Sequence, residues 1–524
     1  MQLTSTWRRS YSLLITSTLL TVALADFFFY DHVIGWTAAG FTFVLLLLVT
    51  LHDPRPLRTR GGWIILLALL GLIYSLVEQP TWLNIPLTLL CLGMLAIVAQ
   101  TGWQRNATDW IAYWTSLLFN GLVRLFADNR IASRWVARRG LSPRATRGIA
   151  AWILPLLLGA IFIILFAIAN PVISEWLTSF RDWINRTFAR LPEYVNPFRI
   201  FFWLAFAALS WTILRGRVRR TRALSPAAAP AGSYILEPVA LDLPPAFVVR
   251  CLVVFNAIFI VQNVLDARFL VDPSKLPAGL TLTQYVHRGA YPLIAAALLA
   301  GAFVITMFRP GSRTERAAAA RWLVYAWLAQ TVFLTLSASW RLGQYIDAST
   351  LTRWRLASAI WFGLVALGLL YTILRIITRR SDAWLINVNA LTTALVLYAC
   401  CFIHFDGHIA DYNVRHCRQT NPAATTSIDI DYLQELGPSS LPALLWLEPQ
   451  LKDPDLISTA RSAINALRDQ LRDQLSDWRG WTRRRSRISQ QSKMLVSAPV
   501  VATPASRVRV LAVTATATQA SQLP

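Results

Sequence analysis

The sequence has little charge and little cysteine. Only 15% of its 524 residues are charged, whereas soluble domains carry about a quarter, so a water-soluble domain is excluded as the main architecture. Five cysteines, most of them within apolar blocks, provide neither a disulfide framework nor a paired zinc knuckle. Phosphate-binding loops, nucleophile elbows and dinucleotide fingerprints are also missing. ATP-driven transport by this chain alone is therefore not expected, and no cofactor is predicted.

Hydrophobic residues make up 55% of the chain, and they come in blocks of roughly the 17 to 25 residues that cross hydrocarbon. Helices satisfy their own backbone groups, so these blocks predict an all-α polytopic membrane protein with about eleven spans. Two further segments, Trp110 to Phe126 and Pro171 to Leu191, mix charges with apolar residues and are predicted to lie along the membrane surface. The predicted spans are centred near Thr18, Phe43, Leu69, Leu90, Gly159, Phe206, Asn256, Ala297, Ala329, Val365 and Leu395.

The formal net charge of +23 would suit nucleic-acid binding in a soluble protein. Here most arginines lie in short loops between apolar blocks, so we predict contact with the lipid bilayer and not with nucleic acid. Placing Arg8 and Arg9 in the cytoplasm assigns the arginine-rich loops to that same side. An odd number of spans then puts the tail from His404 on the outer face. The string Ala23-Leu24-Ala25 resembles a signal-cleavage site and leaves cleavage after Ala25 open.

Composition also predicts the domain organisation. Within the tail, apolar residues from Leu456 to Trp478 recur every three or four positions, which predicts a helix that docks on a partner or belongs to a small helical unit. No internal repeat of the transporter kind is visible, and the oligomeric state is not defined. The predicted segments are an N-terminal membrane half at 1–214, a basic Pro/Ala linker at 215–245, a second membrane half at 246–403, an extramembrane helical tail at 404–495 and a disordered C-terminus at 496–524.

Polar residues inside the predicted spans are candidate site residues, because an unpaired polar group in hydrocarbon is costly. Asn256, Asn263 and Asp266 fall near one helical face, which suits either a polar pathway or hydrogen bonding between helices. Asp26 closes the first span beside Phe27 to Tyr30. That cluster indicates an aromatic belt at the interface or, alternatively, an ion or proton site.

A candidate metal site follows the last span. If His404, His408 and Asp411 lie on one helix, their spacing places them on one face, where they could bind zinc. The pair Asp406-Gly407 instead predicts a turn that breaks such a helix, or a helix start capped by Asp406.

Three motifs resemble those of uncharacterised bacterial membrane proteins, the domain-of-unknown-function families numbered 4173 and, more distantly, 4153. They are Ala25 to Tyr30, the string Tyr285 to Ile294, and the pair Ile409 to Val414 and Ile428 to Leu433. In the central motif, Arg288 and Tyr291 suit anchoring at the outer interface. The resemblance implies a shared fold and supplies no activity.

The sequence therefore predicts a bacterial inner-membrane protein with a cytoplasmic N-terminus and a periplasmic tail. Its role is predicted to be transport or envelope maintenance. The alternative is a noncatalytic assembly or sensory partner that binds an envelope protein through residues 404–495. A membrane-bound metal-dependent hydrolase is the least favoured function, and enzymatic activity in general is not indicated.

Overall fold

The computed structural model describes residues 5–118, 197–215, 245–271 and 317–497 apart from 423 and 425, together with five isolated positions between 178 and 186. Over these residues every regular element is a helix. Six helices are long and apolar enough to cross a membrane, and three shorter apolar helices accompany them. The predicted all-α membrane fold is confirmed. The predicted spans near Gly159 and Ala297, the linker and the C-terminus from 498 lie outside the described residues.

The first group contains α1 (Ser5–Phe29), α2 (Thr37–His52), α3 (Arg60–Glu78), α4 (Asn84–Thr101), α5 (107–118) and α6 (Pro197–Arg215). Local chemistry sets the helix ends: the Thr59 hydroxyl accepts a hydrogen bond from the Gly62 amide at 3.1 Å, and Gly102 ends α4 at a positive φ of 76°. Leu45, Leu69 and Leu92 are fully buried in the shared core.

The second group contains α7 (Pro245–Val271), α8 (Ala318–Ser349), α9 (Arg353–Thr378) and α10 (Asp382–Cys400). Leu252, Val324 and Leu328 are fully buried where α7 and α8 pack together. At the turn between α9 and α10, the buried guanidinium of Arg375 pairs with Asp382. That pair neutralises a charge which would otherwise be unstable at the end of a span.

Contacts within the chain divide it into two compact units. Unit 1 holds residues 1–405 together with 474–483, and unit 2 holds 406–473 and 484–524. Residues 474–483 thus belong with the membrane helices, although they lie far beyond the last span in sequence. We call them the return segment.

Unit 2 is a small helical bundle. Ile409, Leu433 and Leu444 are fully buried in it, and the apolar stripe of the longest helix is buried as well, at Ala460, Ala463, Ile464, Leu467 and Leu471. The stripe therefore packs within the protein. Its helices are α11 (Phe405–Arg415), whose first residue belongs to unit 1, α12 (Ile430–Glu435), α13 (Leu441–Leu447), α14 (Pro454–Ser476), whose last turn enters the return segment, and α15 (Arg483–Ser497), whose first residue is the last of the return segment.

The packing of α5 on α4 yields a stability prediction. A Cβ added at Gly93 would lie 2.2 Å from Cζ2 and Cη2 of the Trp114 indole, whereas one at Gly363 in α9 meets nothing within 4 Å. We expect Gly93→Ala to lower the midpoint of thermal unfolding in detergent, because the indole must move. Gly363→Ala should leave it unchanged or raise it, since alanine favours a helix by about 1 kcal/mol. Equal midpoints for the two variants would contradict this packing.

Candidate functional site

Several helices of unit 1 finish at one common end. Here the Ser75 hydroxyl donates a hydrogen bond to the carbonyl of Cys401 at 2.6 Å, which joins the ends of α3 and α10. At the opposite end, the Asn387 side chain near the start of α10 accepts a hydrogen bond from the Ala107 amide at 2.7 Å. We call the end at which α1, α3 and α10 finish the Asp26 end.

Asp26 joins α1 to α6 through a charged pair. Its carboxylate accepts hydrogen bonds from Nε of Arg199 and from Nε1 of Trp203, both at 2.8 Å. The guanidinium also lies 4.8 Å from the ring centre of Tyr30, and both charged side chains are largely buried. Asp26 is thus held in a structural contact. The neighbouring Ala25, the last residue of the signal-like string, is fully buried within a helix that continues to Phe29.

The return segment packs on the turn between α1 and α2. The backbone N–H of Trp36 donates to the carbonyl of Trp481 at 2.8 Å, and its indole N–H donates to the carbonyl of Trp478 at 3.0 Å. Arg479 donates from Nε to the carbonyl of Phe27 at 2.9 Å. The last carbonyls of a helix have no partner within that helix, so this arginine satisfies a group at the C-terminal end of α1.

Close backbone approach at Gly35 makes this contact possible. A Cβ at that position would lie 2.3 Å from the carbonyl oxygen of Arg479 and 2.5 Å from that of Trp481. Both are backbone atoms, which cannot move aside as a side chain can. Only glycine therefore fits at position 35 while the return segment is seated.

Charged side chains fix the first half of the return segment. Asp477 accepts a hydrogen bond from the backbone N–H of Arg479 at 3.0 Å, and Nδ1 of His32 lies 3.1 Å from its carboxylate. The Arg479 backbone hydrogen bond, followed by the Arg479 guanidinium and His32, holds the pKa of Asp477 below its usual range. The carboxylate is therefore ionised at neutral pH and remains a charged hydrogen-bond acceptor for Arg479.

Glu78 joins the second half of the segment to the ends of α3 and α10. Its buried carboxylate lies 3.3 Å from Nε2 of His404 and 3.9 Å from Nε of Arg483. Arg483 also donates to the Tyr74 hydroxyl at 2.9 Å. On the same helix as Glu78, the Ser75 hydroxyl accepts a hydrogen bond from the Asn84 amide at 3.0 Å. The arrangement supports attachment, since each group is engaged by another protein group.

The candidate metal ligands have other partners. His404 precedes α11 and pairs with Glu78, while Asp411 forms an ion pair with Arg415 at 2.8 Å. The turn predicted at Asp406-Gly407 is wrong, because α11 runs through both residues. Among the residues that the structure describes, no group of three or more His, Cys, Asp or Glu side chains is placed to hold a metal ion, and His408 is not part of one.

Asn256 and Asn263 were predicted to share one helical face, and both lie on the face of α7 that contacts α8. Asn256 donates to the Leu323 carbonyl at 3.0 Å and accepts from Gln330 at 2.7 Å, and Asn263 donates to the Gln330 carbonyl at 3.4 Å. These contacts form an interhelical amide ladder. The side chain of Asp266, and all of Arg288 and Tyr291, lie outside the described residues.

Sequence reasoning missed the return segment and both partners of Asp26. The basic run from Arg483 to Arg487 indicates a solvated segment, or one that binds anionic lipid headgroups or an acidic envelope polymer, and it overlaps only the last residue of the return segment. The signal that could have located it is the combination of two tryptophans, a glycine and arginines, which suits a membrane interface. Arg199 gave no such signal, because it lies at the edge of a predicted span.

Breaking the Asp26 pair should destabilise unit 1. In Asp26→Ala, Arg199 remains as an uncompensated and largely buried charge, which costs about 3 to 5 kcal/mol. The control is Asp53→Ala, because the pair between Asp53 and the exposed Arg55 is worth about 0 to 1 kcal/mol. Thermal unfolding in detergent measures both variants. A decrease in the midpoint of thermal unfolding for Asp26→Ala no larger than that for Asp53→Ala would contradict the structural role of the Asp26–Arg199 pair.

Substitution of Gly35 should release the return segment. We expect Gly35→Ala to raise the rate of limited proteolysis after Arg479 and Arg483 several-fold, because its Cβ collides with backbone atoms of the segment. Gly40→Ala is the matched control, since its Cβ would meet only the Trp36 ring at 3.8 Å. Equal proteolysis of the two variants would show that the segment is not seated on the turn.

Comparison with known proteins gives one family. Its profile matches residues 62–447, well over half of the chain, and its description is Domain of unknown function (DUF4153). Neither a curated protein nor a solved structure matches the chain. The predicted resemblance to the family numbered 4153 is thereby confirmed, whereas that to the family numbered 4173 stays a prediction. The chain is a membrane protein and belongs to the DUF4153 family.

Proposed function

We propose that this protein is a noncatalytic assembly or sensory component of the bacterial envelope, carried by the inner membrane. In this proposal the N-terminus is cytoplasmic and the Asp26 end faces the periplasm. The arginine-rich loops support that orientation, because Arg55, Arg58 and Arg105 lie in connections at the opposite end of unit 1 and Arg60 begins α3 there.

The observation that carries the proposal is the seating of the return segment. Ordering about ten residues costs roughly 10 to 20 kcal/mol of conformational entropy, so specific contacts must offset it. The contacts of Trp36, Glu78 and Arg479 contribute to that offset. A segment that served only as a flexible tether would need none of them, which favours a function that requires residues 474–483 to be held on the membrane helices.

A partner would bind the polar surface of the tail. The apolar stripe of α14 is buried in unit 2 and is unsuitable for docking, whereas Arg461, Asp469 and Arg472 on the same helix are exposed. We propose an envelope protein with a polar, charged surface as the partner of residues 404–495. Such interfaces gain specificity and association rate from charge complementarity.

Transport is the second candidate function, and the amide ladder of α7 and α8 favours it. The described part of the ladder lies within apolar helices, where polar groups often mark a pathway. The charged pairs of the described spans, in contrast, lie near helix ends. A metal-dependent hydrolase is supported least, because His404 and Asp411 have other partners.

One complementation experiment separates the two roles. In a strain lacking the chain, we expect increased sensitivity to sodium dodecyl sulfate, which the full chain restores to normal. Deletion of residues 446–524 should abolish rescue. The double variant Asn256→Leu/Gln330→Leu should rescue fully, because replacing both partners of a hydrogen bond by apolar groups is nearly neutral for stability.

Membrane insertion and abundance of both variants are checked by fractionation and immunoblotting. Full rescue by the deletion variant would overturn the assembly role. Loss of rescue by the amide variant alone, at normal abundance, would establish the transport alternative. A reporter active only in the periplasm, fused after Asn421, tests the orientation in the same strain.

A further inference from the structure

Large apolar side chains form an exposed patch at the Asp26 end of unit 1. Each of them is between 37% and 50% exposed, which is unusual for such residues in contact with water. We call this patch the aromatic rim. It comprises Phe27, Val33, Ile34, Trp36, Trp478 and Trp481.

The rim lies at the level where the spans end. Phe27 belongs to the apolar part of α1, which runs from Ser12 to Phe29. Trp36 immediately precedes α2, and its backbone N–H holds Trp481 by a hydrogen bond of 2.8 Å. The two tryptophans of the return segment are therefore fixed at the depth of the first two helix ends.

The rim is continuous with an exposed apolar face of α1. Leu19 and Leu20 are exposed on α1 two turns before Phe27, within a helix apolar enough to span a membrane. Phe27 in turn contacts the Trp478 ring, with 6.1 Å between the ring centres. The exposed apolar face of α1 therefore extends to the return segment.

Chemistry identifies the occupant as phospholipid. Tryptophan is enriched at membrane–water interfaces, where its ring contacts acyl chains and its polar edge meets the headgroups. The Arg479 guanidinium, 4.5 Å from the centre of the Phe27 ring, supplies a cation at the same depth. An amphipathic band of this kind matches the boundary between headgroups and acyl chains.

We propose that the return segment is an interfacial membrane anchor and that Trp478 and Trp481 lie in the headgroup–acyl boundary of the bilayer. The chain thus contacts lipid again far beyond its last span. This inference rests on the spans and on the seating of the segment, and it holds for either candidate function.

Spin labels measure the depth of the rim directly. Trp481→Cys and Ile34→Cys, each in the full chain, are labelled with a nitroxide and placed in nanodiscs of phosphatidylethanolamine and phosphatidylglycerol that hold one chain each. Ala466→Cys, at an exposed position of α14, is the control. The unsubstituted chain gives the background from the native cysteines. Circular dichroism confirms that each variant is folded.

For each label, the measured quantity is the ratio of its collision rate with oxygen to its collision rate with a water-soluble nickel chelate. This ratio should be several-fold higher at positions 481 and 34 than at 466, because oxygen concentrates in the bilayer. Two results would overturn the proposal. Ratios at 481 and 34 equal to that at 466 would place the rim in water. Shielding of both labels from both reagents would mean that protein, not lipid, covers it.

Discussion

A charged group next to hydrocarbon is costly unless another protein group pairs with it, and the charged contacts between helices in the described part of unit 1 follow this constraint. Asp26 and Arg199 meet it as a bidentate ion pair, and Arg375 and Asp382 meet it at a helix turn. The charges that would be least stable in a bilayer thus become the joints between helices. Breaking a buried ion pair of this kind is strongly destabilising, so these polar residues have a structural role.

The same constraint accounts for the return segment. Helix ends expose carbonyl and amide groups that lack partners within the helix, and at the Asp26 end residues far along the chain supply them. The Arg479 guanidinium donates a hydrogen bond to the Phe27 carbonyl of α1. The Trp481 carbonyl accepts one from the backbone N–H of Trp36, just before α2. Residues 474–483, which the sequence assigns to the helical tail, therefore belong to unit 1. This geometry attaches residues 474–483 to the membrane helices of unit 1.

Hydropathy and helical periodicity predicted the features of the fold that depend on nearby residues in the sequence. Every predicted span within the described residues falls on an apolar helix, because hydropathy over about twenty residues decides insertion. The periodicity of α14 predicted its buried face, and helical spacing placed Asn256 and Asn263 on one side. The partner of Asp26 lies 173 residues away, and no local period encodes such a pairing. The seating of the return segment is likewise not encoded locally, since it depends on the space left by Gly35.

A disulfide between the return segment and the turn after α1 tests the central claim most directly. In His32→Cys/Asp477→Cys, oxidation in intact membranes, followed by cleavage at a protease site inserted after Asn421, should leave the two fragments joined until reduction. Asp477→Cys alone, and Asp53→Cys/Asp477→Cys at the far end of α2, about 24 Å away, should give separate fragments. Separate fragments from the first pair would contradict the attachment of the return segment to the membrane helices.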